Sequence, residues 1–387
     1  MSFLLSRTYW LSLAFFLVLF IGNANIFGFP LILLALSLPI FFALEIKLSF
    51  IQLLFILILT SIFTYKSFNL EEVYNPFYPL WVISFFLAFL FTNAIIDKLR
   101  EYPLETLRMM AFAFIPILLI FLLGIFLSQV DERALFIFGP NMLYRVVGFF
   151  LAIGGGYLFF KGMRFSALIL SLLSYYILIL IGSRGGLVVM LITLLLFFHI
   201  YNKRITFFNL SLGAALLSFP IFFLNIDLSF FRIFNFQSFG AIEDTDYVGA
   251  YSRLRPFLFL LFEQDRFSII GITHEEFLNI FSIPGYLYPH NMFLELAIYY
   301  GWLGVFIALI TFYKIIELFL LTLKTRTNPF VIFCYSLLVL FLGTMFSGDM
   351  GDNGAILGAI FAVFWHLKIF KNSIDKNSLL KLNNNSA

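Results

Sequence analysis

The sequence predicts an all-α, polytopic membrane protein with about twelve transmembrane helices. Three observations carry that expectation. Apolar residues fill 62% of 387 positions and charged residues only 12%, with a mean hydropathy of +1.02; a soluble domain carries about 25% charge. Apolar runs of about 17–23 residues, long enough for a helix to cross a hydrocarbon core, recur along the chain. Lys and Arg sort to alternate connections between those runs.

The expected spans are 9–28, 30–45, 48–65, 77–96, 109–128, 146–160, 165–182, 185–201, 206–224, 291–313, 329–346 and 352–370. The first is too long for a signal-peptide core and lacks a small-x-small cleavage site, so it reads as an uncleaved helix. With the N-terminus inside and the spans alternating, sixteen of the 24 Lys and Arg fall inside and eight outside. That bias predicts both termini in the cytoplasm. The outside set (Lys66, Arg133, Arg145, Arg184, Arg232, Arg253, Arg255 and Arg266) is almost all arginine, and half of it lies in one long connection. The chain reads as a single membrane domain over 1–387, with that connection at 225–290 and a motif-bearing region at 165–313.

Some classes are excluded early. A net charge of +3, dispersed along the chain, does not suit nucleic acid. The single cysteine, Cys334, excludes an intramolecular disulfide and a cysteine-rich metal site. The 57 phenylalanines suit lipid-facing helices and carry no functional weight.

Four polar elements punctuate the apolar chain. Ile181-Gly182-Ser183-Arg184-Gly185-Gly186 falls between two spans on the outer side. Its glycines allow a tight turn, and Arg184 could bind phosphate through paired hydrogen bonds or simply reach into headgroups. Loops as long as 225–290 are usually functional or disordered, and recurring Phe, Leu and Ile argue against disorder. Within it, 251–264 reads as an interfacial helix with Ser252 as N-cap and Pro256 in the first turn. Arg253 and Arg255 lie at that start, where a helix already favours anions; the bland alternative is that both snorkel. His290-Asn291 could cap the next helix or do chemistry. Glu295 lies four residues beyond Asn291 on the same face, and a carboxylate there needs a partner: His290, Arg184 or Arg253. Gly301 and Gly304, like Gly354 and Gly358, are expected to serve helix packing. Gly154-Gly155-Gly156 reads as packing or a helix break, and its place in a span excludes a soluble phosphate loop.

The order and topological setting of these elements resemble the O-antigen ligase and polymerase superfamily. The residues that carry the resemblance are Gly182-Ser183-Arg184-Gly185-Gly186, Ser252-Arg253 with its apolar helix, Gly271-Ile272, and His290-Asn291 through Gly304. The chain departs from the family where Phe257 replaces a tryptophan and Thr273 a second glycine. The resemblance implies a C-type, inverting, membrane-integral glycosyltransferase acting at the periplasmic face of the bacterial inner membrane. It implies no metal, nucleotide or other cofactor. The donor would be a glycan on undecaprenyl pyrophosphate, the acceptor another glycan or lipid A-core, and a polymerase would have a chain-length regulator as partner.

The residue chemistry agrees with that assignment. Arginines stabilise negative charge that develops on a pyrophosphate leaving group, and an imidazole can take a proton from an acceptor hydroxyl. Arg184, Arg253 and His290 are therefore the expected catalytic residues. Arg255, Ser183, Gly185, Asn291 and Glu295 are the expected substrate-binding or supporting residues. A polymerase is favoured over a ligase by the Gly-Gly pair after Arg184, the short chain and the Phe-rich composition. A transporter of the same lipid-linked sugars is the rival from another class, but the sequence shows no internal repeat, and its spans are nearly free of charge away from their ends.

Overall fold

A computed structural model describes residues 6–21, 47–68, 80–127, 139–181, 259–260, 269, 271–281, 291–324, 329–346 and 353–367. These residues are helical, with short turns and no strand among them, so the described part of the chain is all-α. In chain order the helices are α1 (Arg7–Phe16, continuing as a π-helical stretch Leu17–Ile21), α2 (Phe50–Phe68), α3 (Leu80–Glu101), α4 (Pro103–Leu127) and α5 (Gly139–Phe150). There follow a π-helical turn Leu151–Gly155, α6 (Gly156–Phe160), α7 (Arg164–Ile181), α8 (His274–Phe281), α9 (Met292–Lys324) and α10 (Phe330–Phe346). A last apolar helix, α11, covers Asn353–Leu367.

The expected spans at 48–65, 77–96, 109–128, 165–182, 329–346 and 352–370 each coincide with a helix. Those at 30–45, 185–201 and 206–224 lie outside the described residues. Hydropathy misplaces some ends. Helix α4 begins at Pro103, before the apolar run, because Glu105 and Arg108 continue a helix without adding hydropathy. Helix α5 begins at Gly139 rather than at 146, and its early turns contain Arg145, which is 1% exposed.

Packing follows from the size of the side chains at each crossing. Phe16 lies 4.8 Å from Phe114 and Phe20 lies 5.4 Å from Phe149, ring centre to ring centre, which joins α1, α4 and α5. Such aromatic pairs add about 0.5–1.5 kcal/mol beyond area burial. Helices α3 and α11 come much closer. A Cβ on Gly354 would stand 2.6 Å from the Trp81 ring, and one on Gly358 would collide with the Phe85 carbonyl. The small-xxx-small spacing therefore acts as expected. A Cβ on Gly156 would stand 2.8 Å from Ile332, so the last residue of the triple glycine serves packing against α10. It does not break the helix; the chain widens to a π turn at Leu151–Gly155 and continues.

The helices alternate in direction. The end of α2 meets the start of α3 through Phe63 and Trp81, 5.0 Å apart. The starts of α3 and α11 meet at Trp81 and Gly354, and the start of α11 meets α5 and the end of α10 through Arg145. We call this the head end. At the opposite end Gln52, Asn93 and His366 form a buried polar chain: Gln52 Nε2 donates to Asn93 Oδ1 at 3.3 Å, and His366 Nε2 lies 2.8 Å from the same oxygen.

Among the described residues, two helices are long and apolar enough to cross a membrane on length and composition, Trp81–Glu101 and Met292–Thr322. The second is not a straight rod, because Gly301 takes φ 60 and ψ −142 inside it. Residues 302–322 beyond the break extend about 30 Å by themselves, the thickness of a hydrocarbon core. Helices α2, α7 and α9 carry exposed apolar stripes, exemplified by Leu57, Leu172 and Phe306. Such contiguous faces suit an apolar surrounding.

Candidate functional site

The centre of the motif-bearing region is a helical hairpin. Phe293 and Phe312 lie 4.8 Å apart, ring centre to ring centre. In a straight helix nineteen residues separate positions by about 28 Å. The chain therefore doubles back at Gly301, and Met292–Tyr300 packs against the helix that follows. The backbone angles at Gly301 lie in a region open essentially to glycine alone. Gly304 lies where the arms cross, and a Cβ there would collide with the Leu296 carbonyl. Gly304 thus serves packing, as expected. Gly301 does not; it makes the turn, and the expected single span at 291–313 is a short arm followed by a longer helix.

A break of this kind leaves carbonyls open in the turn before it. Ile272 N donates to Ile298 O at 3.0 Å and takes up one of them. Gly271 makes the approach possible: its φ is 78, and a side chain there would run into the Tyr299 backbone. Gly271-Ile272 and Gly301, thirty residues apart, are two halves of one structural device. Thr273, where a second glycine was expected, starts α8 as its cap. Glu276 N donates to Thr273 Oγ1 at 3.2 Å, and Thr273 N donates to Glu276 Oε2 at 2.7 Å, a reciprocal capping box. Phe277 is then buried 5.7 Å from the Tyr299 ring. Tyr300, next to Tyr299, lies 5.4 Å from Phe63 near the end of α2, ring centre to ring centre, which places α8 at the head end.

Asn291 opens the short arm. Its Oδ1 accepts from Phe293 N at 2.9 Å and Leu294 N at 3.2 Å, which caps the arm's N-terminus. Its Nδ2 donates to Met345 O at 3.0 Å, in the last turn of α10. The cap reading of Asn291 is the one observed, and the side chain also ties two helices together. Glu295 lies one turn on, its N–H bonded to Asn291 O at 3.0 Å, and it is completely buried. That pairing sets the two residues on one face, as their spacing predicts.

A cavity of about 360 Å³ occupies the crook of the hairpin. Phe293, Leu294 and Ala297 line one side, Trp302, Ala308 and Phe312 the other, and Asn291 brings the amide. Leu260 also lines it. That residue belongs to the 251–264 segment, of which Phe259 and Leu260 are described and helical. Leu260 is thereby at the same hairpin as Asn291 and Gly271. Helix α7 packs back along α5 and the π turn and ends at Ile181, three residues before Arg184. Because α5 starts at the head end and α7 runs the other way, α7 finishes there.

Arg184, Ser183, Gly185, Arg253, Arg255 and His290 lie outside the described residues, as does most of the long connection. Among the expected site residues, Asn291 and Glu295 are described. Among the described residues, no group of three His, Cys, Asp or Glu could hold a metal ion. One buried charge drew no attention in the sequence beyond its topological sign: Arg145. An arginine with no acidic residue on its own helix, inside an apolar run, was the available signal.

No family model matches the chain, and no curated protein is similar to it.

Proposed function

We propose that this chain is a periplasmic-face glycosyltransferase that polymerises undecaprenyl-pyrophosphate-linked repeat units into O-antigen or a related surface polysaccharide. The observation that supports this most is the hairpin at Gly301, because three of the four motif-bearing segments meet on it: Phe259–Leu260, Gly271-Ile272 and Asn291–Gly304. The fourth begins where α7 ends. Motifs spread over more than a hundred residues are what a single site would need. In this reading about twelve helices cross the inner membrane, both termini are cytoplasmic, and the head end faces the periplasm.

The reaction would run as follows. His290 takes the proton of an acceptor sugar hydroxyl, and that oxygen attacks the anomeric carbon of the donor glycan. The bond from the anomeric carbon to the pyrophosphate oxygen breaks with inversion, and the undecaprenyl pyrophosphate leaves with the electron pair. Arg184 and Arg253, aided by Arg255, neutralise the charge that develops on that oxygen. Ser183 and Gly185 shape the turn around Arg184, while Asn291 and Glu295 hold the segment that follows His290. The scheme uses neither metal nor nucleotide. The acceptor is a second lipid-linked glycan in a polymerase, which would work with a chain-length regulator, and lipid A-core in a ligase. The Gly-Gly pair after Arg184 favours the polymerase.

Deletion of the gene separates these outcomes. Loss of a polymerase is expected to leave lipopolysaccharide carrying core plus one repeat unit on a gel. Bare core with accumulated lipid-linked polymer would show a ligase instead, and an unchanged ladder would contradict both.

A further inference from the structure

Arg145 has a structural setting that its position in an apolar helix does not lead one to expect. Its side chain lies along Gly343, where a Cβ would stand 2.9 Å from Arg145 Cγ. Nη1 donates to Asn353 Oδ1 at 2.7 Å, and Nη2 donates to Gly343 O at 3.2 Å. The neighbouring Tyr144 hydroxyl donates to the same Gly343 carbonyl at 3.1 Å. The guanidinium therefore joins α5 to the end of α10 and the start of α11. Two residues further along α10, Met345 O accepts from Asn291 Nδ2. The last turn of α10 is gripped from two sides, by Tyr144 and Arg145 from α5 and by Asn291 from the hairpin.

A cation is favourable at the C-terminus of a helix, where carbonyls lack partners. That alone does not require an arginine, because hydroxyls and amides cap such ends without a buried charge. The planar fork supplies what they cannot: two directed donors that reach two different helices at once. We propose that Arg145 is a positioning residue for the head-end site, acting through the last turn of α10 to fix Asn291, the cap of the arm that follows His290 in the sequence. The assignment of work to His290 rests on the function proposed above; the mechanical link from Arg145 to Asn291 does not.

The test compares wild type with Arg145→Lys in full-length detergent-purified protein, using two readouts. The first is hydrogen exchange at the Phe293 and Leu294 amides, which Asn291 Oδ1 caps. Lysine keeps the charge but loses the fork, so exchange there is expected to rise several-fold while peptides from α3 exchange as in wild type. Unchanged exchange at Phe293 and Leu294, or a uniform rise across the protein, overturns the proposal. The second readout is turnover of lipid-linked oligosaccharide. A small misplacement of a catalytic group costs on the order of 10–100-fold in rate, so kcat is expected to fall by about that factor while KM for the donor stays within about twofold. Wild-type kcat in a variant whose Asn291 cap has loosened also overturns it. If wild-type protein itself has no activity, the function fails and the exchange result alone decides the link.

Discussion

Gly304→Ala is expected to leave little correctly folded protein, and Gly301→Ala to lower stability without abolishing folding. At Gly304 the obstacle is the Leu296 backbone, which cannot rotate aside as a side chain could. The arms must separate, and Phe293 then loses Phe312 at 4.8 Å. At Gly301 the cost is conformational, about 1–3 kcal/mol for a side chain held in such a region. Domains are stable by only about 5–15 kcal/mol, so the change at Gly304, which adds lost packing to the collision, is a large fraction of the total. Gly162→Ala is the control. Its φ is 79, yet nothing stands within 4 Å of the added Cβ, so only a backbone term of about 1–2 kcal/mol remains. Fluorescence-detected size exclusion and thermal melting in detergent measure all three. Gly304→Ala protein that is monodisperse and melts like wild type would mean the hairpin is not the native arrangement of this segment.

The hairpin also shows where reading the sequence succeeds and where it stops. Gly354 and Gly358 are legible because close approach of two helices needs small residues at that spacing whatever surrounds them. Gly301-Trp302-Leu303-Gly304 has the same look, and Gly304 behaves accordingly. The turn at Gly301 leaves no local sign: Ile298-Tyr299-Tyr300 before it and Trp302-Leu303 after it are equally apolar, so a hydropathy window passes straight through. What stabilises the turn is remote, the Ile272 N–H and the bare Cα of Gly271. For the same reason Gly271-Ile272 could be seen as a motif but not explained as one. Helix ends were the other weak point, since hydropathy marks apolar runs while helices continue past them. Arg145 was counted as an outward charge because position along a helix predicts topology, whereas its contacts with Gly343 and Asn353 come from segments about two hundred residues away.

Arg184→Ala, Arg253→Ala and His290→Ala are expected to abolish polymer in cells while each protein remains inserted at normal levels. Removing a single donor that stabilises developing negative charge typically costs about 10²–10³-fold in rate, enough to erase a ladder. Arg184→Lys separates charge from geometry. If the fork is used on the pyrophosphate, lysine restores only a small part of the activity. Full activity in Arg184→Lys would show that one point charge suffices. Normal polymer in all three alanine variants, at normal protein levels, would show that the chemistry lies elsewhere in the chain. Glu295→Gln is informative beside them, because it replaces the carboxyl group at a fully buried position while nearly keeping its shape. A loss of activity without a loss of folded protein would mark Glu295 as a partner of His290 or of one of the arginines.

The central claim is that this protein itself forms glycosidic bonds between lipid-linked glycans. It is tested most directly with purified full-length protein in detergent micelles, supplied with an undecaprenyl-pyrophosphate-linked oligosaccharide repeat and excess EDTA, and no nucleotide. Lipid-linked products of two or more repeats are expected, visible by mass spectrometry and absent with His290→Ala protein. Micelles have no second compartment, so a transporter would leave the substrate unchanged. Folded, monodisperse wild-type protein that returns only the single-repeat starting material, with and without added divalent cation, would contradict the account.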